Sequence, residues 1–146
     1  MEEVSFSLLK LDENLINLLE KIRFDAYSIN NFSASQSFYS HCLNNGNYIV
    51  YGAFYRGTFV GACYVTKSYN SLFIERLFIL KKFQNTELHL GSRLLKYVLS
   101  NQKYIEEYFN MHFKYSFLDN ATKDNSLYEK LGYRKTENLL MKKRLD

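Results

Sequence analysis

The sequence predicts an α/β fold: a mixed, mostly antiparallel, twisted sheet of about six to seven strands with helices on both faces. Three observations predict it. Three apolar segments follow one another between residues 48 and 80, separated by short turn signals, as antiparallel strands require. Segments with apolar residues three and four apart lie before and after that run, which is the helical period. Phe and Tyr supply 12 and 13 side chains, and such rings bury large areas and favour strands.

Taken in order, residues 3–9 alternate Val4, Phe6 and Leu8 and predict a short strand. Asp12 offers a side-chain cap, and Leu15, Leu18, Leu19 and Ile22 follow at helical spacing. A second helix is expected from near Ser33 or Ser35, through Phe38 and Cys42, to the stop signal Asn44-Asn45-Gly46. Tyr48–Tyr55 and Thr58–Thr66 flank Arg56-Gly57, whose glycine tolerates positive φ, and read as a hairpin. Ser68-Tyr69-Asn70-Ser71 makes the next turn, and Leu72–Leu80 the third strand of the run. Residues 88–101 carry Leu90, Leu94, Leu95, Val98 and Leu99, the apolar stripe of a helix. A strand at Phe113–Leu118 follows, then a short helix over 124–131 with Gly132 as its left-handed cap. Strand pieces at Tyr133–Thr136 and Leu139–Arg144 complete the order. The β-α-β unit after the antiparallel run is what makes the sheet mixed.

With 146 residues, 47% of them hydrophobic, the chain has apolar surface enough to offset the entropy of ordering. No repeat or linker divides it, so residues 1–146 are read as one domain. Lys and Arg number 19 against 15 Asp and Glu, a formal net charge of +4. That balance suits an anionic ligand but lacks the clustering of a nucleic-acid protein, and no nucleic-acid partner is expected. No apolar run of about 18 residues occurs, so no membrane partner is expected. The acidic start, Met1-Glu2-Glu3, argues against a secretory leader. Two cysteines, Cys42 and Cys63, make no disulfide framework, and a reducing cytoplasm is the expected location. His41, Cys42, Cys63, His89 and His112 lack metal-ligand spacing, so no metal is expected. Nor do they compose a nucleophile with its base.

Two stretches resemble the GNAT acetyltransferase superfamily, whose members move an acetyl group from acetyl-CoA to an amine. The first is Ile74-Glu75-Arg76-Leu77-Phe78-Ile79, then Lys82-Phe83-Gln84-Asn85-Thr86, then Leu90-Gly91-Ser92-Arg93-Leu94-Leu95. The family has a strand here, then a loop Q/R-x-x-G-x-G/A, then a helix opening with a small residue and a Leu pair. The second is Asn125-Ser126-Leu127-Tyr128-Glu129-Lys130-Leu131-Gly132-Tyr133, similar to the family's LYEKLGF segment. In element order the resemblance covers essentially the whole chain, and it implies the GNAT-type sheet.

The loop has a physical logic. Glycines let backbone approach a pyrophosphate, and the next helix offers free N–H groups and the positive end of its dipole. Lys81, Lys82, Arg93 and Lys96 add positive charge nearby. The sequence departs from the pattern in its glycines. With Gln84 as the first motif position, the glycine positions hold Glu87 and His89. With Leu94-Leu95 as anchor, Thr86, His89 and Gly91 fill the motif. The preferred reading is a loop two residues longer than usual, flanked by Gln84-Asn85-Thr86 and Leu90-Gly91-Ser92. Through the resemblance, Gln84, Asn85, Thr86, Leu90, Gly91, Ser92 and Asn125 become candidate cofactor contacts, with Asn125 preferred over Asn120. The backbone of Leu77, Phe78 and Ile79 is expected to pair with the pantetheine arm as an added strand.

Glu75 and Arg76 interrupt an apolar strand, where a charge needs a partner, a wet cleft or a chemical role. By alternation Glu75 is expected to share a face with Phe73, Leu77 and Ile79. One reading is a structural ion pair with a neighbouring strand. The other, from the resemblance, is the base that takes the amine's proton through water. Tyr128 matches the family tyrosine that faces the cofactor sulfur. A phenol with an ordinary pKa near 10 stays protonated at neutral pH and can donate to a departing thiolate. Tyr27, Phe32, Phe38 and Tyr39 are either core or the lining of an acceptor pocket.

The resemblance thus implies acyl transfer from acetyl-CoA to a primary amine by direct attack, with Tyr128 and Glu75 catalytic. The acceptor is a small molecule or a protein amine, and a homodimer is the family expectation. The alternative is a catalytically silent fold of the same type that serves as a binding or regulatory module.

Overall fold

The computed structural model of the chain describes residues 3–10, 47–84, 86–119, 126–136 and 140–145. The helices expected at 12–22 and 33–44 lie outside the described residues. Strands β1 (Val4–Leu9), β2 (Ile49–Tyr55), β3 (Thr58–Ser68) and β4 (Ser71–Ile79) form an antiparallel meander, as the alternating segments predict. Both hairpin turns are as tight as their sequences require: Arg56 and Gly57 have φ of 51° and 79°, and Tyr69 has φ of 55°. Such left-handed turns match the right-handed twist of the strands they join.

After β4 a 3-10 turn, Lys81–Phe83, leads to helix α1 (Leu90–Ser100). Its buried residues, Leu90, Leu94, Leu95 and Val98, are the stripe that the spacing predicts. A second helix, α2 (Gln102–Phe109), follows directly and was not expected. It buries Ile105 alone, too small an apolar stripe for periodicity to register. Asn110 ends it in a left-handed conformation, at φ 51°.

The chain returns through β5 (Tyr115–Asp119), a short helix α3 (Ser126–Lys130), β6 (Arg134–Lys135) and β7 (Leu140–Arg144). These complete a seven-stranded sheet of order β1-β2-β3-β4-β5-β7-β6. Only β4 and β5 pair in parallel; the other five neighbouring pairs are antiparallel. The expected mixed, mostly antiparallel sheet is therefore what forms. Gly132 takes φ of 98°, the left-handed cap foreseen after α3. In β1 the alternation holds only in part: Val4 is buried and Phe6 half-buried, but Leu8 is 45% exposed near the strand's end.

Two apolar clusters lie on opposite faces of the sheet. The larger joins Cys63, Val65, Leu72 and Ile74 to Leu94, Leu95 and Val98 of α1 and Ile105 of α2. The smaller gathers Val50, Phe59, Ala62, Tyr64 and Phe78. Among the described residues the helices pack on the face of the larger cluster, with Tyr128 of α3 joining it. No described helix is long and apolar enough to cross a membrane.

The larger core buries three weak acids, Tyr51, Tyr133 and Cys63, and burial raises the pKa of each. The unfolded chain releases these protons from about pH 8.5 for a thiol and about pH 10 for a phenol. Above those values the unfolded state binds fewer protons than the folded one, so stability present at lower pH is lost as pH rises. The melting temperature is expected to fall between about pH 8 and about pH 10.5, with Cys63→Ala flattening the earlier part of the fall. A flat wild-type profile over that range contradicts the assignment.

Candidate active site

β4 carries the first half of the site. Its register against β3 slips by one residue: Ile74 faces Val65, Arg76 faces Tyr64, and Glu75 has no opposite residue. Glu75 is thus the extra residue of a β-bulge, a feature that kinks a strand and re-aims the residues beyond it. The bulge resets the alternation. Leu72 and Ile74 before it, and Leu77 and Ile79 after it, all meet the helix-side core, whereas Phe78 enters the opposite cluster. Phe73, between Leu72 and Ile74, therefore lies on the opposite face from Leu77 and Ile79. The expectation of one shared face for Phe73, Glu75, Leu77 and Ile79 is corrected accordingly. Counting by twos fails where one strand gains a residue.

The parallel ladder with β5 covers Ser71 to Ile74, and β4 runs on past it to Ile79. Leu80 N–H donates to Val60 O on the β3 side at 2.8 Å. Because successive strand residues alternate the edge their polar groups face, Leu77 and Ile79 turn theirs to the edge away from β3. At the end of that edge Gln84 Nε2 donates to Ile79 O at 2.7 Å, which fastens the following loop to β4.

The loop then reaches the start of α1. Thr86 Oγ1 donates to Phe83 O at 3.2 Å and accepts from Leu88 N–H at 3.3 Å. His89 caps α1 in a left-handed conformation, φ 50° and ψ 45°. The first helical bond runs from Arg93 N–H to His89 O at 3.0 Å, so the amides of Leu90, Gly91 and Ser92 precede the helical ladder. Ser92 Oγ donates to His89 O at 3.2 Å, and Arg93 Nη1 to Leu88 O at 3.4 Å. Lys81 and Lys82 are exposed at the other end of the loop, and the side chain of Glu87 is exposed too. Asn85 lies outside the described residues.

His89 is the residue that does a glycine's work. Both ways of aligning the loop with the motif put it at a glycine position, and it alone between Gln84 and Ser92 has positive φ among the described residues. Gly91, the surviving glycine, sits inside the helix with no positive φ, and a Cβ there would meet nothing within 4 Å. The helix start is therefore intact although its glycines are not.

Tyr128 supplies the second half of the site. It is half-buried against the larger core. Burial raises its pKa above the ordinary phenol value, and the nearby Cys63 sulfur raises it further. Cys63 is fully buried on β3 and stands opposite Leu77 in the ladder. The phenol, the thiol and the far half of β4 thus share one side of the sheet. Sequence reasoning assigned no role to Cys63 there, and β3 alternation was the signal that could have placed it. Asn120 and Asn125 lie outside the described residues, as do Tyr27, Phe32, Phe38 and Tyr39. Among the described residues no three His, Cys, Asp or Glu side chains gather as a metal site.

The arrangement has the architecture of acetyltransferases. The fold matches a ribosomal-protein-S18-alanine N-acetyltransferase from Escherichia coli at TM-score 0.73 and 14% identity, over 98% of this chain and 94% of that one. It matches an aminoglycoside 6′-acetyltransferase type Ii at TM-score 0.73 and 15% identity, over 97% of each chain. A GNAT family acetyltransferase from Elizabethkingia anophelis, with acetyl-CoA bound, matches at TM-score 0.68 and 18% identity over 99% of this chain and 100% of that one. No curated protein matches the chain significantly in sequence. The profile of the Acetyltransferase (GNAT) domain matches residues 20–145, and the chain belongs to that family.

Left-handed backbone is strained for a histidine by about 1 kcal/mol relative to glycine. His89→Gly is therefore expected to raise unfolding stability by up to about that amount, read as a higher urea midpoint at unchanged slope. A lower midpoint would show that the imidazole makes a contact worth more than the strain.

Proposed function

We propose that the protein transfers an acetyl group from acetyl-CoA to a primary amine by direct attack, with Tyr128 and Glu75 as its catalytic groups. Acetyl-CoA supplies the activated thioester. The observation that carries the reading is Tyr128: a phenol held protonated by burial, near Cys63 and on the side of the sheet that Leu77 and Ile79 also face. The stretch Leu77-Phe78-Ile79 takes the pantetheine arm as an added strand would, through the polar groups of Leu77 and Ile79 on the edge turned away from β3. The amides of Leu90, Gly91 and Ser92 receive the pyrophosphate, and Gln84, Asn85, Thr86 and Asn125 frame it. Lys81, Lys82 and Arg93 favour that anion, and the exposed side chain of Glu87 leaves room for it.

In the reaction the amine nitrogen bonds to the thioester carbon and the carbon–sulfur bond breaks. Glu75, at the bulge, takes the amine's proton through water, and Tyr128 donates to the departing sulfur. The aminoglycoside and S18-alanine enzymes of the same fold act on a small molecule and on a protein amine, which marks the two acceptor classes to try. A catalytically silent module is the second reading, favoured by Glu87 and His89 at the glycine positions.

Calorimetric titration with acetyl-CoA separates the two. Binding to the folded state alone stabilises it by about 2.7 kcal/mol at a hundredfold excess over Kd. A matching rise in melting temperature is expected. No heat at two temperatures and no thermal shift at millimolar ligand would overturn acetyl-CoA as donor.

Two substitutions then divide the chemistry. Tyr128→Phe keeps the ring and its packing, so acyl transfer should fall at least tenfold, about 1.4 kcal/mol in barrier, with acetyl-CoA affinity retained. Glu75→Gln should lower turnover by about 10² to 10⁴, most where the amine is still protonated. An unchanged rate under chemistry-limited conditions removes either role. A large fall in the melting temperature of Glu75→Gln would point instead to a structural ion pair.

A further inference from the structure

Helix α3 is five residues long, about one and a half turns, and too short to hold its own direction in water. Among the described residues, several hydrogen bonds tie down its C-terminal end. Tyr128 O accepts from the N–H groups of Leu131 and Tyr133, each at 3.0 Å. Glu129 O accepts from Gly132 N–H at 3.0 Å and from Arg134 Nη1 at 3.2 Å. Lys143 Nζ, from β7, donates to Leu131 O and fills the space that a Cβ on Gly132 would take.

Tyr133 ties this turn to the sheet. Its ring lies in the larger core, and its hydroxyl meets the hydroxyl of Ser116 on β5 at 2.8 Å, with both residues fully buried. One of the two residues whose amides hold the Tyr128 carbonyl is therefore itself pinned to β5, the parallel neighbour of β4. We infer that Tyr133 is a positioning residue for Tyr128, and that the Ser116–Tyr133 hydroxyl bond anchors the turn that aims the Tyr128 phenol. The inference rests on the donor role proposed for Tyr128.

A single change, Tyr133→Phe or Ser116→Ala, strands the other hydroxyl in the core and destabilises for that reason alone. Removing both hydroxyls together is close to neutral, so Ser116→Ala/Tyr133→Phe isolates the anchor from the stability. In the free protein, amide hydrogen exchange at Leu131 and Tyr133 is expected to quicken by about tenfold in the double variant, with the melting temperature nearly unchanged. Thiol release is read with acetyl-CoA and two probe amines, an aminoglycoside and an alanine-initiated peptide. With whichever the wild type turns over, kcat should fall by about threefold or more while KM for acetyl-CoA stays put. In a Tyr128→Phe background the same double change should leave kcat where Tyr128→Phe alone puts it.

Unchanged exchange at 131 and 133 overturns the anchor, and needs no ligand to be seen. An equal fold-loss in the Tyr128→Phe background overturns the positioning role, because the pair would then act through something else. Failure of the underlying donor reading shows itself separately, as a wild-type rate in Tyr128→Phe with the anchor intact, and it ends the positioning role with it.

Discussion

β4 is bound to β3 along nearly its whole length but to β5 over four residues only, and the bulge at Glu75 is where those two regimes meet. Before the bulge, β4 is an interior strand, paired on both edges. After it, β4 runs past the end of its ladder with β5, with Leu77 and Ile79 turning their polar groups to that side. A parallel pair that parts in this way ends its ladder partway along the strand, which an interior strand of uniform register does not. Everything assigned to the site depends on that parting: the edge that Gln84 terminates, the loop it fastens, and the helix that begins at Leu90.

The same constraint explains how the loop keeps its shape without its glycines. The chain that leads from the end of β4 into α1 passes through one residue at positive φ, immediately before the helix. Glycine takes that conformation without strain, but the requirement is conformational rather than chemical. His89 meets it, and the amides of Leu90, Gly91 and Ser92 emerge ahead of the helical ladder regardless. The side chain of Glu87 is exposed, so the loop also carries this carboxylate without burying it.

The sequence made the meander, α1 and the capped α3 legible because each rests on local rules: alternation, helical spacing and residues suited to left-handed turns. What it concealed came from interactions between segments. Nothing in Leu72–Ile79 announces a bulge except two adjacent charges, and adjacent charges are also what an ion pair looks like. Helix α2 has Ile105 as its one buried residue, so its existence depends on the Asn101 and Asn110 junctions and on packing beside α1. His89 was visible as a departure from a motif, and histidine's mild enrichment at positive φ is too weak a rule to place it there. Tyr128 stood out by resemblance to a motif, whereas the Ser116–Tyr133 bond joins residues 17 apart that only the fold brings together.

The chemistry proposed for Tyr128 raises a question of proton affinity that the structure itself addresses. A thiol with an ordinary pKa near 8.5 is the stronger acid, so handing a proton from a phenol near 10 to a thiolate runs uphill in water. Burial raises the Tyr128 phenol further, which by itself makes the transfer harder. The same burial acts on sulfur. Cys63, a thiol close enough to be felt by Tyr128, is also pushed well above its ordinary value. A thiolate formed in such surroundings would be a far stronger base than one in water, because the low dielectric penalises its charge as it penalises the phenolate's. For a cofactor sulfur buried as Cys63 is, the two affinities would rise together, and the gap that matters would be set by the site and not by the solution values. Under that condition a single well-aimed hydroxyl is the effective device, since a hydrogen bond to the sulfur as its charge appears stabilises the breaking bond whether or not the proton fully crosses.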